Sequence, residues 1–190
     1  MSVTAELRLL TVIDYHHMVA AGVLAADERV ELIEGQLFRM AAKGTAHSAA
    51  VTRIDRILSS RLAGQVLLRL QDPVQLSDFS EPEPDVAVVQ IDPLDYEEHH
   101  PTPSEIFWLI EVADTTLKRD RELKAPAYGR ALVPEYWILD VQERRLYVFR
   151  APGVQEYDIQ QVLTEEDAIA PLAFPNCEIK ISEFLRPLSL

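Results

Sequence analysis

Asp85 follows Pro84 at the entrance to the apolar run Val86-Ala87-Val88-Val89, and Glu111 closes a second run, Ile106-Phe107-Trp108-Leu109-Ile110. Runs this apolar predict strands buried on both faces, where a carboxylate must either sit at a strand end or have a cation as partner. Two acids so placed point to one metal site with Asp85 and Glu111 as its ligands.

The elements that must position them follow from periodicity and turn chemistry. Thr11-Val12-Ile13-Asp14-Tyr15 leads into a short outer helix on which Tyr15, Met18, Val19 and Val23 share a face. Arg29 to Met40 predicts two strands about a tight turn at Glu34-Gly35, where Gly supplies positive φ, which puts Glu34 at a hairpin tip. From Thr45 to Leu62 the residues Val51, Ile54, Leu58 and Leu62 recur at helical spacing, with His47 in the first turn and Arg53, Arg56 and Arg61 on other faces.

Further strands are predicted at Val66–Leu70, Val74–Leu76, the two acid-bearing runs, Pro134–Asp140 and Arg145–Arg150. A helix capped at Asp114-Thr115-Thr116 carries Lys118, Arg121, Lys124 and Tyr128, and Pro126 should kink or shorten it. The tail predicts strands at Tyr157–Ile159 and from Cys177 to Ile181, an acidic turn at Glu165-Glu166-Asp167 and a last helical turn at Glu183-Phe184-Leu185. This order gives an α/β or mixed α+β class, a mixed sheet flanked by helices in one domain over residues 1–190.

A net charge of −13 opposes non-specific attraction to phosphate polymers or anionic membranes. The charge is segregated, however. No Lys or Arg occurs from Leu70 to Leu117, while Arg53, Arg56 and Arg61 precede that stretch and Lys118, Arg119, Arg121, Lys124 and Arg130 follow it, leaving room for a local basic rim. Cys177, being alone, excludes an internal disulfide and a cysteine zinc cluster. The chain start shows neither a signal peptide nor a long apolar span, so the expected compartment is the cytoplasm, with no membrane partner.

The order Glu34, His47, Pro84-Asp85, Glu111-Val112-Ala113, Lys124 resembles the PD-(D/E)xK nuclease superfamily, and more closely the Uma family of restriction endonucleases. The matching pieces are Val30 to Leu37, a His opening the next helix, Glu83 to Val88, Leu109 to Val112, and Lys124 through Tyr128 to the run Val133 to Asp140. They span almost the whole chain. The resemblance implies a restriction-endonuclease-like fold and a Mg²⁺-dependent endonuclease acting on DNA, with Mn²⁺ able to substitute, as a homodimer or higher homo-oligomer.

Phosphodiester cleavage needs a nucleophilic water and a stabilised, extra-charged phosphorus centre, and cations held by carboxylates serve both needs. Mg²⁺ takes hard oxygens and keeps waters, so Asp85, Glu111 and the Val112 carbonyl suffice. Position 113 is Ala, so the resemblance implies that the catalytic lysine has moved to the following helix, as Lys124, with Lys118 as competitor. By the same resemblance Glu34 binds a second metal directly or through water, while His47, near a helix N-terminus where amide protons and the dipole favour anions, is placed to contact phosphate or relay a proton.

Each of these residues also has a purely structural reading. Asp85 can simply open a strand, Lys124 can be a solvated helix side chain, and Glu34 a turn acid. His16-His17 and His99-His100 point apart in any regular element and are read as surface, and Trp108, Tyr136, Trp137, Tyr147 and Phe149 as core. Two other function classes stay open: a non-catalytic binding or assembly module on the nuclease fold, and a hydrolase of small phosphorylated substrates.

Overall fold

The computed structural model describes residues 7–25 and 27–188. Both ends of the expected domain span, residues 1–6 and 189–190, lie outside the described residues. The order is α1 (Val12–Ala20), β1 (Val30–Ile33), β2 (Gln36–Arg39), α2 (Thr45–Arg61), β3 (Leu67–Arg69), β4 (Val86–Val89) and β5 (Ile106–Ala113). Then come α3 (Leu117–Arg119), a π-helical turn (Asp120–Lys124), α4 (Ala125–Arg130), β6 (Glu135–Asp140), β7 (Arg145–Pro152), β8 (Tyr157–Thr164), β9 (Ala168–Ile169) and β10 (Ile179–Lys180).

A six-stranded sheet in the order β3-β4-β5-β6-β7-β8 organises the molecule, and only β5 and β6 run parallel. A parallel pair needs a crossover. The crossover here is the segment α3–π turn–α4, which therefore lies over the sheet between β5, the strand that carries Glu111, and β6. Alternation along the strands divides the core. Val86, Val88, Trp108, Ile110 and Trp137 pack with Val51, Ile54 and Leu58 of α2. Ala87, Val89, Leu109, Tyr136 and Ile138 pack with Ala125 and Tyr128 of α4 on the other side. Burying Ile54 and Leu58 completely contributes about 2 kcal/mol each.

The mixed sheet flanked by helices is the expected architecture, and several elements differ from expectation for clear reasons. The hairpin turns at Glu34 (φ 48°) and Gly35 (φ 76°), the two positive-φ positions of a two-residue turn that matches strand twist. A side chain at Gly35 would place its Cβ 2.5 Å from that of Leu9. Val74–Leu76 is not a strand: its amides bond to the carbonyls of Pro82, Pro101 and Ser80, because Pro82 and Pro84 opposite it cannot supply a continuous ladder. The strand expected over Cys177 to Ile181 shrinks to β10, and β8 extends well past Ile159.

The helix expected from Lys118 to Tyr128 is interrupted where the Ala125 amide bonds to the Asp120 carbonyl, one residue wider than an α-turn. The widened turn lets Pro126, which has no N–H, enter the first turn of α4 without breaking the segment. Among the described residues no helix is long and apolar enough to cross a membrane.

Candidate active site

Register brings the two acids together. Val86 pairs with Ile110 across β4 and β5, so Asp85, just ahead of β4, stands beside Glu111. Both line a cavity of about 170 Å³ with His47, Val112 and Lys124, closed by residues 40–44 before α2 and by Asp114, Thr115, Thr116, Arg119 and Asp120 after β5.

Asp85 is 7% exposed, and its oxygens are occupied by protein donors. Oδ2 accepts the Val112 amide at 2.9 Å and lies 2.9 Å from His47 Nε2, while Oδ1 accepts Gln71 Nε2 at 3.1 Å. Burial alone would raise its pKa. The hydrogen bond and charge of His47, the Val112 amide and the Lys124 ammonium outweigh burial and hold the carboxyl below the ordinary value. His47 Nδ1 is buried without a hydrogen-bond partner among the described residues.

Glu111 is engaged on one side only. Its Oε1 accepts Lys124 Nζ at 2.7 Å and the Tyr128 hydroxyl at 3.2 Å, and no donor among the described residues reaches Oε2. Burial first, and then the charges of Asp85, Asp120 and Glu31, push its pKa well above the usual carboxylate range against the pull of Lys124. Asp120 is raised for the same first reason, although Thr116 Oγ1 donates to it at 2.6 Å.

Lys124, 1% exposed, is enclosed by acceptors: Glu111 Oε1, Glu31 Oε2 at 3.0 Å and the Glu83 carbonyl at 3.3 Å. Burial favours loss of its proton, but Glu111, Glu31 and Asp120 reverse that and keep it an ammonium. Its Nζ donates to Glu111 Oε1 and the Glu83 carbonyl and is ion-paired with Glu31. Lys118, the competitor, is exposed, does not line the cavity and has Glu122 at 3.9 Å.

Glu34 is not brought to this cavity. It lies exposed on the hairpin tip, its Oε1 held by Arg130 at 2.6 to 2.7 Å, and lines a separate hollow with Leu9 and Phe79. The acid that reaches Lys124 from the hairpin is Glu31, fully enclosed. Its Oε2 also accepts the Glu83 amide at 3.2 Å. Arg119 lies 3.2 Å from Oε1 but without hydrogen-bond alignment, which leaves that buried oxygen unsatisfied. Glu31 hides from pattern reading because all four residues of β1 are buried: the Leu32–Glu81 bridge covers the edge that β2 leaves open.

A second unforeseen residue is Lys43, half-buried on the cavity rim and without an ion-pair partner among the described residues. Burial, and then Arg29, lower its pKa, while Asp85, Glu83 and Glu111 oppose that shift. A lysine in a short loop between a strand and a helix gives no periodic signal.

Among the described residues no three His, Cys, Asp or Glu side chains stand together in metal-holding geometry. The donor chemistry nonetheless fits a hard cation. Glu83, Asp85, Glu111, Asp114 and Asp120 face the cavity against Lys43, Arg119 and Lys124, and two carboxylates with a backbone carbonyl suit an ion that keeps its own waters.

No curated protein matches the chain. Among solved structures, it resembles the crystal structure of "a putative nuclease belonging to DUF820" from Anabaena variabilis ATCC 29413, at 16% identity and a TM-score of 0.67. That match covers 92% of this chain and 97% of the other, and it establishes a shared fold. Residues 13–182 match the family model Uma2, described as "Putative restriction endonuclease", and the chain belongs to that family.

Proposed function

We propose that this chain is a Mg²⁺-dependent endonuclease that hydrolyses phosphodiester bonds in DNA, acting in the cytoplasm as a homodimer whose two sites address two strands. The observation that supports this reading is the meeting of Asp85, Glu111, His47 and Lys124 in one acidic cavity of a restriction-endonuclease family member.

Asp85, Glu111 and the Val112 carbonyl would hold the cation. A divalent ion there supplies Lewis-acid charge to the phosphate and acidifies a water. The protein's own groups set the stage for that. Lys124, fixed by Glu31 and the Glu83 carbonyl, anchors Glu111 by Oε1. His47 orients Asp85 through Nε2. Lys43 is the open ammonium on the rim and supplies positive charge to the substrate phosphate. Glu31, in place of Glu34, completes the acid set by holding Lys124 charged.

The engagement of Lys124 by Glu111, Glu31 and the Glu83 carbonyl favours a second reading, a binding or assembly module that keeps the fold without turnover. Calorimetric titration of Mn²⁺ into wild type and Asp85→Ala, with circular dichroism on both, tests the site. The expected result is saturable binding and plasmid cleavage in wild type, both lost in the variant with its spectrum intact. Equal or absent binding in the two proteins would remove the site assignment and select the second reading.

A further inference from the structure

Most cations of this acidic chain are committed to protein acceptors. Arg61 pairs with Glu183, Arg119 lies against Glu31 and caps the Arg39 carbonyl, Arg130 pairs with Glu34, Arg150 pairs with Glu135, and Arg121 stacks on Tyr147. Arg53 and Arg186, like Lys43, Arg56, Arg145 and Lys180, have no ion-pair partner among the described residues. Arg53 and Arg186 line a groove of about 390 Å³ together with Arg144. Arg144 pairs with Glu165, and its Nη1 holds the Arg186 carbonyl at 3.1 Å, which fixes that end of the groove. Among the described residues no carboxylate lines the groove, in a chain of net charge −13. Its floor is Ala46, Ala49 and Ala50 of α2, short side chains that permit close approach.

The groove and the candidate active site are neighbours across one helical turn. Thr45 and Ala46 line the groove, whereas Lys43, Gly44 and His47 line the site cavity. On the other wall Gln142, a groove residue, donates to Asp114, a cavity residue. We infer that the groove carries the sugar-phosphate backbone of a nucleic-acid strand that leaves the active site over the first turn of α2. This inference rests on the nuclease reading and gives it a polymeric substrate. Among the described residues no aromatic side chain on which a base could stack lines the groove, so its contacts are to phosphate and independent of sequence.

The test uses the full chain and three proteins: wild type, Arg53→Glu/Arg186→Glu, and a control, Lys118→Glu/Lys180→Glu, with the same change of charge at exposed sites outside the groove. Anisotropy of a labelled duplex and of its single strand is followed across a salt series with Ca²⁺, alongside Mn²⁺ calorimetry and Mn²⁺-dependent hydrolysis of bis(4-nitrophenyl) phosphate. The groove variant should bind the polymer at least about tenfold more weakly, with a salt slope reduced by about 2, roughly 0.9 for each lost phosphate contact. Its Mn²⁺ binding and small-diester hydrolysis should match wild type, and the control should bind polymer within about twofold of wild type. Polymer affinity unchanged in the groove variant, or lowered equally in the control, would overturn the groove while leaving the nuclease reading in place. A wild type that neither binds polymer nor hydrolyses the diester would overturn both.

Discussion

Two buried glutamates stand on adjacent strands, and their surroundings separate a structural acid from a candidate functional one. Glu135, at the start of β6, is wholly enclosed, and both its oxygens are satisfied. Oε1 accepts Trp137 Nε1 and Arg150 Nε, each at 2.7 Å, and Oε2 accepts the Leu172 amide at 2.7 Å. Glu111, on β5, is almost as enclosed, yet among the described residues donors reach only Oε1, and the residue lines a cavity together with Glu83, Asp85, Asp114 and Asp120. A buried carboxylate with a complete donor set ties chain segments together. One with an incomplete set, beside other acids, is a position that a cation would stabilise.

The same isosteric change tests this difference at both places. Glu111→Gln should lower cleavage by about 10³-fold, close to 4 kcal/mol in the transition state, because a charged oxygen that holds the cation becomes a neutral amide. Its folding stability should change by no more than about 1 kcal/mol: the amide oxygen can still accept from Lys124 and Tyr128, and Lys124 keeps Glu31 as its counter-charge. Glu135→Gln should reverse the pattern. Donors meet both of its oxygens, so an NH₂ must confront one of them, and Arg150 loses its counter-charge. A loss of about 3 kcal/mol is expected, at the lower end for a broken buried pair because Arg150 is partly exposed. Urea titration and plasmid cleavage on the two variants read both quantities. Similar destabilisation in the two would erase the distinction.

How far this site is legible in the sequence depends on which interactions are local. Asp85 and Glu111 stand out because five or four apolar neighbours announce a buried strand, and the Glu34-Gly35 turn and α2 follow from local φ preference and helical spacing. Glu31 does not, because what buries it is the segment at Ser80-Glu81, distant in the chain, that bridges to Leu32 and removes the exposed face that alternation assumes. Lys124 is legible as a helix residue, but its enclosure depends on the π-helical turn and on acceptors from β1, β5 and residue 83. The groove arginines follow the same rule. Arg53 and Arg61 lie on one helix with similar local sequence, and only tertiary contact shows that Arg61 is committed to Glu183 while Arg53 is not.

Protonation sharpens the contrast at the next level of effect. The pKa of Glu111 in the folded chain lies above its ordinary value of 4.5, so the native state holds a proton that the unfolded chain has released. Its contribution to stability is therefore fully present below 4.5 and is lost as pH rises through the folded value, at up to about 1.4 kcal/mol per pH unit. Asp85, lowered, has the opposite sign and acts in a separate window, losing its contribution as pH falls below the ordinary 3.8. A cation must displace the Glu111 proton. Mn²⁺ affinity should thus rise by about tenfold per pH unit above 4.5 and level off once the folded pKa is passed. In Glu111→Gln that dependence should vanish. A pH-independent affinity in wild type would show that Glu111 is already ionised without metal.

The smallest expected effect concerns the two lysines, one enclosed and one open. Lys124 holds carboxylates, whereas Lys43 lines the rim with no carboxylate paired to it among the described residues. Lys43→Gln removes a positive charge near Asp85, Glu83 and Glu111, so Mn²⁺ should bind a fewfold more tightly. Cleavage should nevertheless slow by about tenfold, because the phosphate loses a charge-assisted partner. Those opposite signs are what a substrate-facing cation produces. A lysine that only supported the fold would weaken both. Lys43→Arg, which keeps the charge on a longer group, should restore most of the rate, and a variant in which binding and cleavage fall together would place Lys43 with Lys124 among the structural cations.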